Sequence, residues 1–270
     1  GFSLCGNVFH VNSVKKDYRF SYSRPYTGKV KQVRVKCSHL NEWYIYVVTD
    51  ASPKSYTKTH DGASVGIDFG LKTYMTFSDG EKLSHPQFLK RDIKKLKKIS
   101  RRHSRCAKGS HHREQSRLAL CRFYEYVSDK RRDFQWKLAH DLCRRFDTIF
   151  IEDLSLNGMS RLWGRKMSDL GHSLFCNILE QVADKYGCTV HRIDKWFPSS
   201  KLCDCGYKNG NLSLNERTWV CPQCGQIHDR DVHAAEMILR RGIYELASNG
   251  KTIEPLGFEA VASEPRIPLL

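Results

Sequence analysis

Apolar and polar residues alternate through Val33, Val35 and Cys37, and again through Trp43, Ile45 and Val47. That period of two predicts a pair of strands, with Ser-His-Leu-Asn as the turn between them. Residues 18–50 read as strands throughout, a small β-barrel or part of one. Residues 52–62 are polar and rich in turn formers, which marks a boundary. Beyond it, "ASVGIDFG" reads as a buried strand and "KTYMTFSDG" as its hairpin partner. The period then changes. Leu89, Ile93, Leu96 and Ile99 fall at helical spacing, and "AKGSHH" breaks that helix. Leu120, Phe123, Val127, Phe134, Leu138 and Leu142 stripe a second helix. "DTIFIEDLSL" is an apolar strand that ends in acids. A helix over about 170–186, a short strand in "CTVHRID" and a last helix over about 232–246 follow. The tail beyond them holds three of the eight prolines and predicts no regular structure. This order of elements predicts an α/β fold with a mixed sheet.

Charge alters the picture at one place above all. The chain carries 45 Lys and Arg against 29 Asp and Glu, a net +16, and Lys90 to Arg117 alone hold twelve cations and two acids. A clustered excess of this size points to a polyanion, nucleic acid first. The candidate phosphate contacts are Lys90, Arg91, Lys94, Lys95, Lys97, Lys98, Arg101, Arg102 and Arg105. No run of 18 apolar residues is present and no signal peptide is visible, so no membrane partner and a cytoplasmic, nucleoid-associated location are expected. Of eleven cysteines, Cys203 with Cys205 and Cys221 with Cys224 form close pairs, and the rest are scattered singly. Such pairing indicates a metal site in a reducing compartment, not a disulfide framework. Cys221-Pro-Gln-Cys224 followed by Gly is a regular zinc knuckle, whereas Cys203-Asp-Cys205 is one residue shorter, and His228 is an alternative donor. Four such ligands leave no open position, so the expected zinc is structural.

Three acids stand out by position. Asp68 lies inside an apolar strand, Glu152 closes another, and Asp231 opens the last helix. Each alone has an ordinary reading as a turn or cap residue, as does Asp229. Together they suit in-line phosphodiester hydrolysis, which uses two hard cations held by oxygen ligands on rigid elements.

"GIDFGLKTYMTFSDG", "IFIEDLSLNGM" and "CPQCGQIHDRDVHAAEMI" resemble, in that order, the three RuvC motifs of the TnpB (OrfB) proteins of insertion sequences. These are RNA-guided DNA endonucleases related to type V CRISPR nucleases and commonly labelled transposases. "RRDFQWKLAHDL" is similar to the family's helix before its second motif. The resemblance implies an RNase H-like (RuvC) mixed sheet with a helical hairpin insert, an inserted zinc ribbon and a partial N-terminal, wedge-like β-barrel. On that basis the expected parts are a wedge-like portion over 1–58, a nuclease core over 59–196 with a basic hairpin at 85–146, a zinc ribbon over 197–228, the last core helix over 229–247 and a tail over 248–270. The resemblance further implies that Asp68, Glu152 and Asp231 are catalytic and bind magnesium, that Asp229 is a supporting acid, and that guide RNA and target DNA are the partners. The sequence departs from the family's pattern at His233, where Asn is usual, and at the short Cys203–Cys205 pair. Family members also carry a longer N-terminal portion. The alternative expectation is a truncated or decayed, nuclease-inactive RNA- or DNA-binding protein.

Overall fold

The computed structural model describes residues 1–52, 55–58, 62–154, 164, 169–213 and 215–248. The tail expected from 248 onward and the end of the second motif therefore lie almost wholly outside the described residues. The chain forms two compact units, one of Gly1–Lys54 with Lys98–Glu125, the other of Ser55–Lys97 with Tyr126–Leu270.

In the smaller unit, β1 (Phe2–Cys5), β2 (Val8–Val11) and β3 (Lys16–Arg19) make an antiparallel sheet, and β4 (Val30–Cys37) pairs with β5 (Trp43–Thr49) in a second one. The strands expected as part of a barrel thus lie in two separate sheets, and β1 and β2 precede the segment read as strands. Asn41 supplies the left-handed residue of the β4–β5 turn (φ 63°), and the Ser38 hydroxyl accepts from the Leu40 and Glu42 amides. Trp43, although in phase with Ile45 and Val47, remains 72% exposed.

Short helix α1 (Phe88–Arg91) leads into α2 (Ile93–Arg105), and α3 (His111–Arg145) runs unbroken for 35 residues. Helix α2 buries no residue at all. The break between α2 and α3 falls in the expected segment, where the Arg113 guanidinium donates to the Cys106 carbonyl (3.0 Å).

The larger unit is built on a five-stranded mixed sheet in the order β10-β9-β6-β7-β8, comprising β6 (Ser64–Phe69), β7 (Thr73–Phe77), β8 (Lys82–Ser84), β9 (Thr148–Glu152) and β10 (Thr189–Ile193). Strands β6, β7 and β8 are antiparallel neighbours, while β9 and β10 run parallel to β6. Alternation along the strands sorts the two faces. Val65, Ile67, Phe69, Ile149 and Ile151 point to one side, where Ala139, Leu142 and Cys143 of α3 and Phe175, Leu179 and Val182 of α4 (His172–Tyr186) cover them. Phe150 and Ile193 point to the other side and pack under Ile238 and Leu246 of α5 (Arg230–Ser248).

Helix α5 lies close against β6 because Gly66 has no side chain. A Cβ there would overlap the Ala235 carbonyl oxygen. One at Gly242 of α5 would overlap the Phe150 ring. Between β10 and α5 the chain makes a small two-stranded hairpin of β11 (Thr218–Val220) and β12 (Ile227–Asp229) over a core of Cys203, Leu212, Trp219 and Cys221.

Candidate active site and metal centre

The face covered by α5 carries the acids. Ile67 of β6 pairs with Ile151 of β9, so the next residues, Asp68 and Glu152, stand level on neighbouring parallel strands and point to the same face. Their strands are about 4.8 Å apart. Helix α5 begins over that face, which brings Asp231, in its first turn, to the same place. Asp68, Glu152 and Asp231 all line one cleft of ≈ 1170 Å³. The three acids chosen from sequence are therefore brought together, although 163 residues separate the first from the last.

The electrostatics of Asp68 and Glu152 reflect burial first and their acidic neighbours second. Burial raises the Asp68 carboxyl to about 7, the charge of Asp231 adds to the rise, and Arg230 and Arg217 oppose it. Burial, then Asp68, likewise raises Glu152 to about 7. Arg217 holds Asp231 through one nitrogen at 2.8 and 3.1 Å from the two carboxylate oxygens. From sequence alone Arg217 is a cation at the ribbon tip, with at most a weak nucleic-acid contact to suggest. The signal that places it is the β11–β12 register, which sets Thr218 against Asp229 and aims the preceding residue at the start of α5. Thr76, paired with Asp68 across β6–β7 and 1% exposed, also lines the cleft and was not foreseen.

Asp229 does a different job. Its carboxylate caps α5 by accepting from the amides of Asp231 (3.1 Å) and Val232 (3.2 Å), and it pairs with Lys82 (2.7 Å). Burial works against its charge, but Lys82 and these amides hold it below the usual carboxylate range. His233 faces away from the acids. Its Nε2 lies 2.8 Å from the Leu202 carbonyl, and its ring centre lies 4.0 Å from that of His228, the two rings tilted by 42°.

Cations rim the cleft, among them Lys72, Lys90, Lys195, Lys201, Lys208 and Arg230. Of the nine basic residues singled out on α1 and α2, only Lys90 lines it. All nine are exposed. Lys98, Arg101, Arg102 and Arg105 belong to the smaller unit.

The sulfurs of Cys203, Cys205, Cys221 and Cys224 all lie within 4.8 Å of one another, a group able to hold a metal ion. Cys203 is 3.5 Å from Cys224 and Cys205 is 3.6 Å from Cys221. Thiolates about 2.3 Å from a tetrahedral zinc stand roughly 3.8 Å apart, so the spacing fits. The short pair closes with a shorter turn. The Gly206 amide donates to Cys203 three residues back, whereas Gly225 donates to Cys221 four residues back. Both glycines take positive φ (88° and 76°). His228 Nε2 sits 3.2 Å from the Cys203 sulfur, beside the four thiols and not in place of one. Among the described residues this is the only group of three or more such side chains gathered so tightly, so the three carboxylates are spread more widely.

Residues 45–162 match the OrfB_IS605 family, described as "Probable transposase", and residues 172–238 match the Cas12f1-like TNB domain. A "Putative RNA-guided DNA endonuclease" of Streptomyces pristinaespiralis is 36% identical over 259 residues, 93% of this chain and 63% of that protein. InsQ of Escherichia coli (strain K12), which bears the same description, is 28% identical over 85% of this chain and 61% of its own length. The fold is similar to that in the cryo-EM structure of a Cas12f1-sgRNA-target DNA complex, with TM-score 0.50 and 18% identity over 76% of this chain and 44% of that one. The chain thus spans less than two thirds of the relatives it matches. No helix among the described residues is long and apolar enough to cross a membrane.

Proposed function

The chain belongs to the TnpB/OrfB family, and from that premise we propose that it is the nuclease portion of an RNA-guided DNA endonuclease that hydrolyses DNA with a pair of magnesium ions in an RNase H-like core. The observation that carries this reading is the meeting of Asp68, Glu152 and Asp231 in one cation-rimmed cleft. Burial first, and then the charge of a neighbouring carboxylate, raise Asp68 and Glu152, and such a buried pair favours a bound cation. Oxygen donors on two central strands and a helix start suit a hard ion better than a soft one. Magnesium bound by Asp68, Glu152 and Asp231 would supply an activated water and neutralise charge on the phosphate.

The chain's own residues account for the rest. Thr76 and the strand ends fix Asp68 and Glu152 in register. Arg217, now paired with Asp231, is placed to meet a phosphate oxygen beside it. Lys72, Lys90, Lys201 and Lys208 draw the polyanion to the mouth. The exposed cations of α2 contact guide RNA or target DNA phosphates outside the cleft. A zinc ion on the four cysteines is structural, holding the ribbon from which Arg217 projects.

Asp231→Ala tests the reading. The variant is expected to lose manganese binding in the cleft by calorimetry and to cut DNA roughly 100-fold more slowly, with nucleic-acid affinity within about twofold of the parent. Asp229→Ala keeps the metal and most of the cleavage but loses about 1 kcal/mol of stability, because it removes a helix cap. Undiminished manganese binding and cleavage by Asp231→Ala would refute the assignment.

A further inference from the structure

Strand β10 ends level with Glu152, and the chain turns at once. The Asp194 carboxylate accepts from the Trp196 amide and the Asp194 carbonyl from the Phe197 amide, both at 3.0 Å. Phe197 packs against the cluster of Phe150, Ile193, Ile238 and Leu246, with the Arg241 guanidinium 5.6 Å from its ring. Trp196 is therefore pinned on both sides by backbone hydrogen bonds and a core contact. Its indole is nevertheless 78% exposed, the most exposed large apolar side chain among the described residues. It lines the cleft that holds Asp68, Glu152 and Asp231, and the Lys195 ammonium lies 5.3 Å from its ring centre.

An uncovered indole on a held stretch of backbone contributes nothing to the core. What it offers is a flat, solvent-facing apolar surface in a cleft that also carries Lys195, Lys201, Lys208, Arg217 and Arg230. We propose that Trp196 is a stacking platform for one nucleobase of the strand whose phosphate enters the cleft, and so a positioning residue for the cut. The inference rests on the nuclease reading for the identity of the polyanion. Charge complementarity selects the occupant. Lys195 beside the indole, with Lys201 and Lys208 lining the same cleft, suits a phosphate chain, and an apolar protein surface would strand those charges. Stacking on an aromatic ring tolerates any base, since every base has a π-face. It also requires a base whose face is free, so an unpaired strand fits the cleft and a stacked duplex does not.

The test uses the whole chain, a short single-stranded oligothymidylate, and a strand of equal length with abasic sugars. Without divalent cation the parent should bind the base-bearing strand roughly tenfold more tightly than the abasic one, with quenching of tryptophan emission. Trp196→Ala should bind both strands equally, at the parent's abasic affinity, and melt at the parent's temperature. Trp196→Phe should keep most of the preference while losing the quenching. In cleavage assays the alanine variant should raise KM more than it lowers kcat. A Trp196→Ala protein that still prefers the base-bearing strand as the parent does overturns the stacking role and leaves the indole as a protein-docking surface, with the nuclease reading intact. A parent that binds neither strand overturns both.

Discussion

Asp68 and Glu152 ionise in the unfolded chain near 3.8 and 4.5, and in the fold near 7. Between these values the folded protein holds more protons than the unfolded one, so the stability of the metal-free protein falls as pH rises from about 4 to about 7. Asp68→Asn removes the ionising group. Without divalent cation it should therefore melt above the parent at about pH 8, by about 1–3 kcal/mol, and gain little at about pH 5, where the native carboxyl is already neutral. Added magnesium should narrow the gap by stabilising only the parent. A difference independent of pH would show that burial of charge is not its cause. Glu152 and Asp231, ordinary at their element ends, were legible through the motifs they sit in, and Asp68 also through its local pattern. A carboxylate within "VGIDFG" contradicts its apolar strand. Arg217 and Trp196 break no pattern. Their importance comes from a hairpin register and a turn that aim them at residues far away in sequence.

Among the elements, α5 and β6 decide whether a site exists. Their apposition depends on Gly66 and Gly242, where a methyl group would meet a carbonyl and an aromatic ring. Gly66→Ala should cost about 1–3 kcal/mol in a urea melt and lower cleavage further by displacing the start of α5 from Asp68. Gly210→Ala, with open space around it, should change neither. Equal effects from the two would mean that close approach on β6 does not matter. The periods of two and 3.6 disclosed β4 to β7, β9, α2 to α5 and the α2–α3 break, since apolar positions recur regularly along each element even where, as on α2, none is buried. They did not disclose β1 and β2, which at four residues each are too short to display a period. Nor did they disclose that β4 and β5 leave Trp43 exposed, because alternation identifies a shared face but not what covers it.

At the scale of the molecule, the cysteine cluster and the acid cleft are joined by a few bonds. The Arg230 amide donates to the Arg217 carbonyl (2.7 Å), the Arg230 side chain reaches the Ser213 carbonyl (2.8 Å), and His233 reaches the Leu202 carbonyl. Elemental analysis should find one zinc per chain, and its removal by a chelator should lower the melting temperature by several degrees and loosen α5. An unchanged melt would contradict a structural metal. The net charge of +16 points to a polyanionic partner class, but the inward acids of the cleft are invisible to any sum over the chain. The place of α5 in the fold has a further consequence, for timing. Translation delivers β6 and β9 first and α5 last among the described elements. Until α5 docks, the face bearing Gly66 and Phe150 has no cover, and Asp68 and Glu152 lack their third partner. On the proposed function, a nascent chain can already hold nucleic acid through α2 while it is unable to cut, and the docking of α5 arms the site.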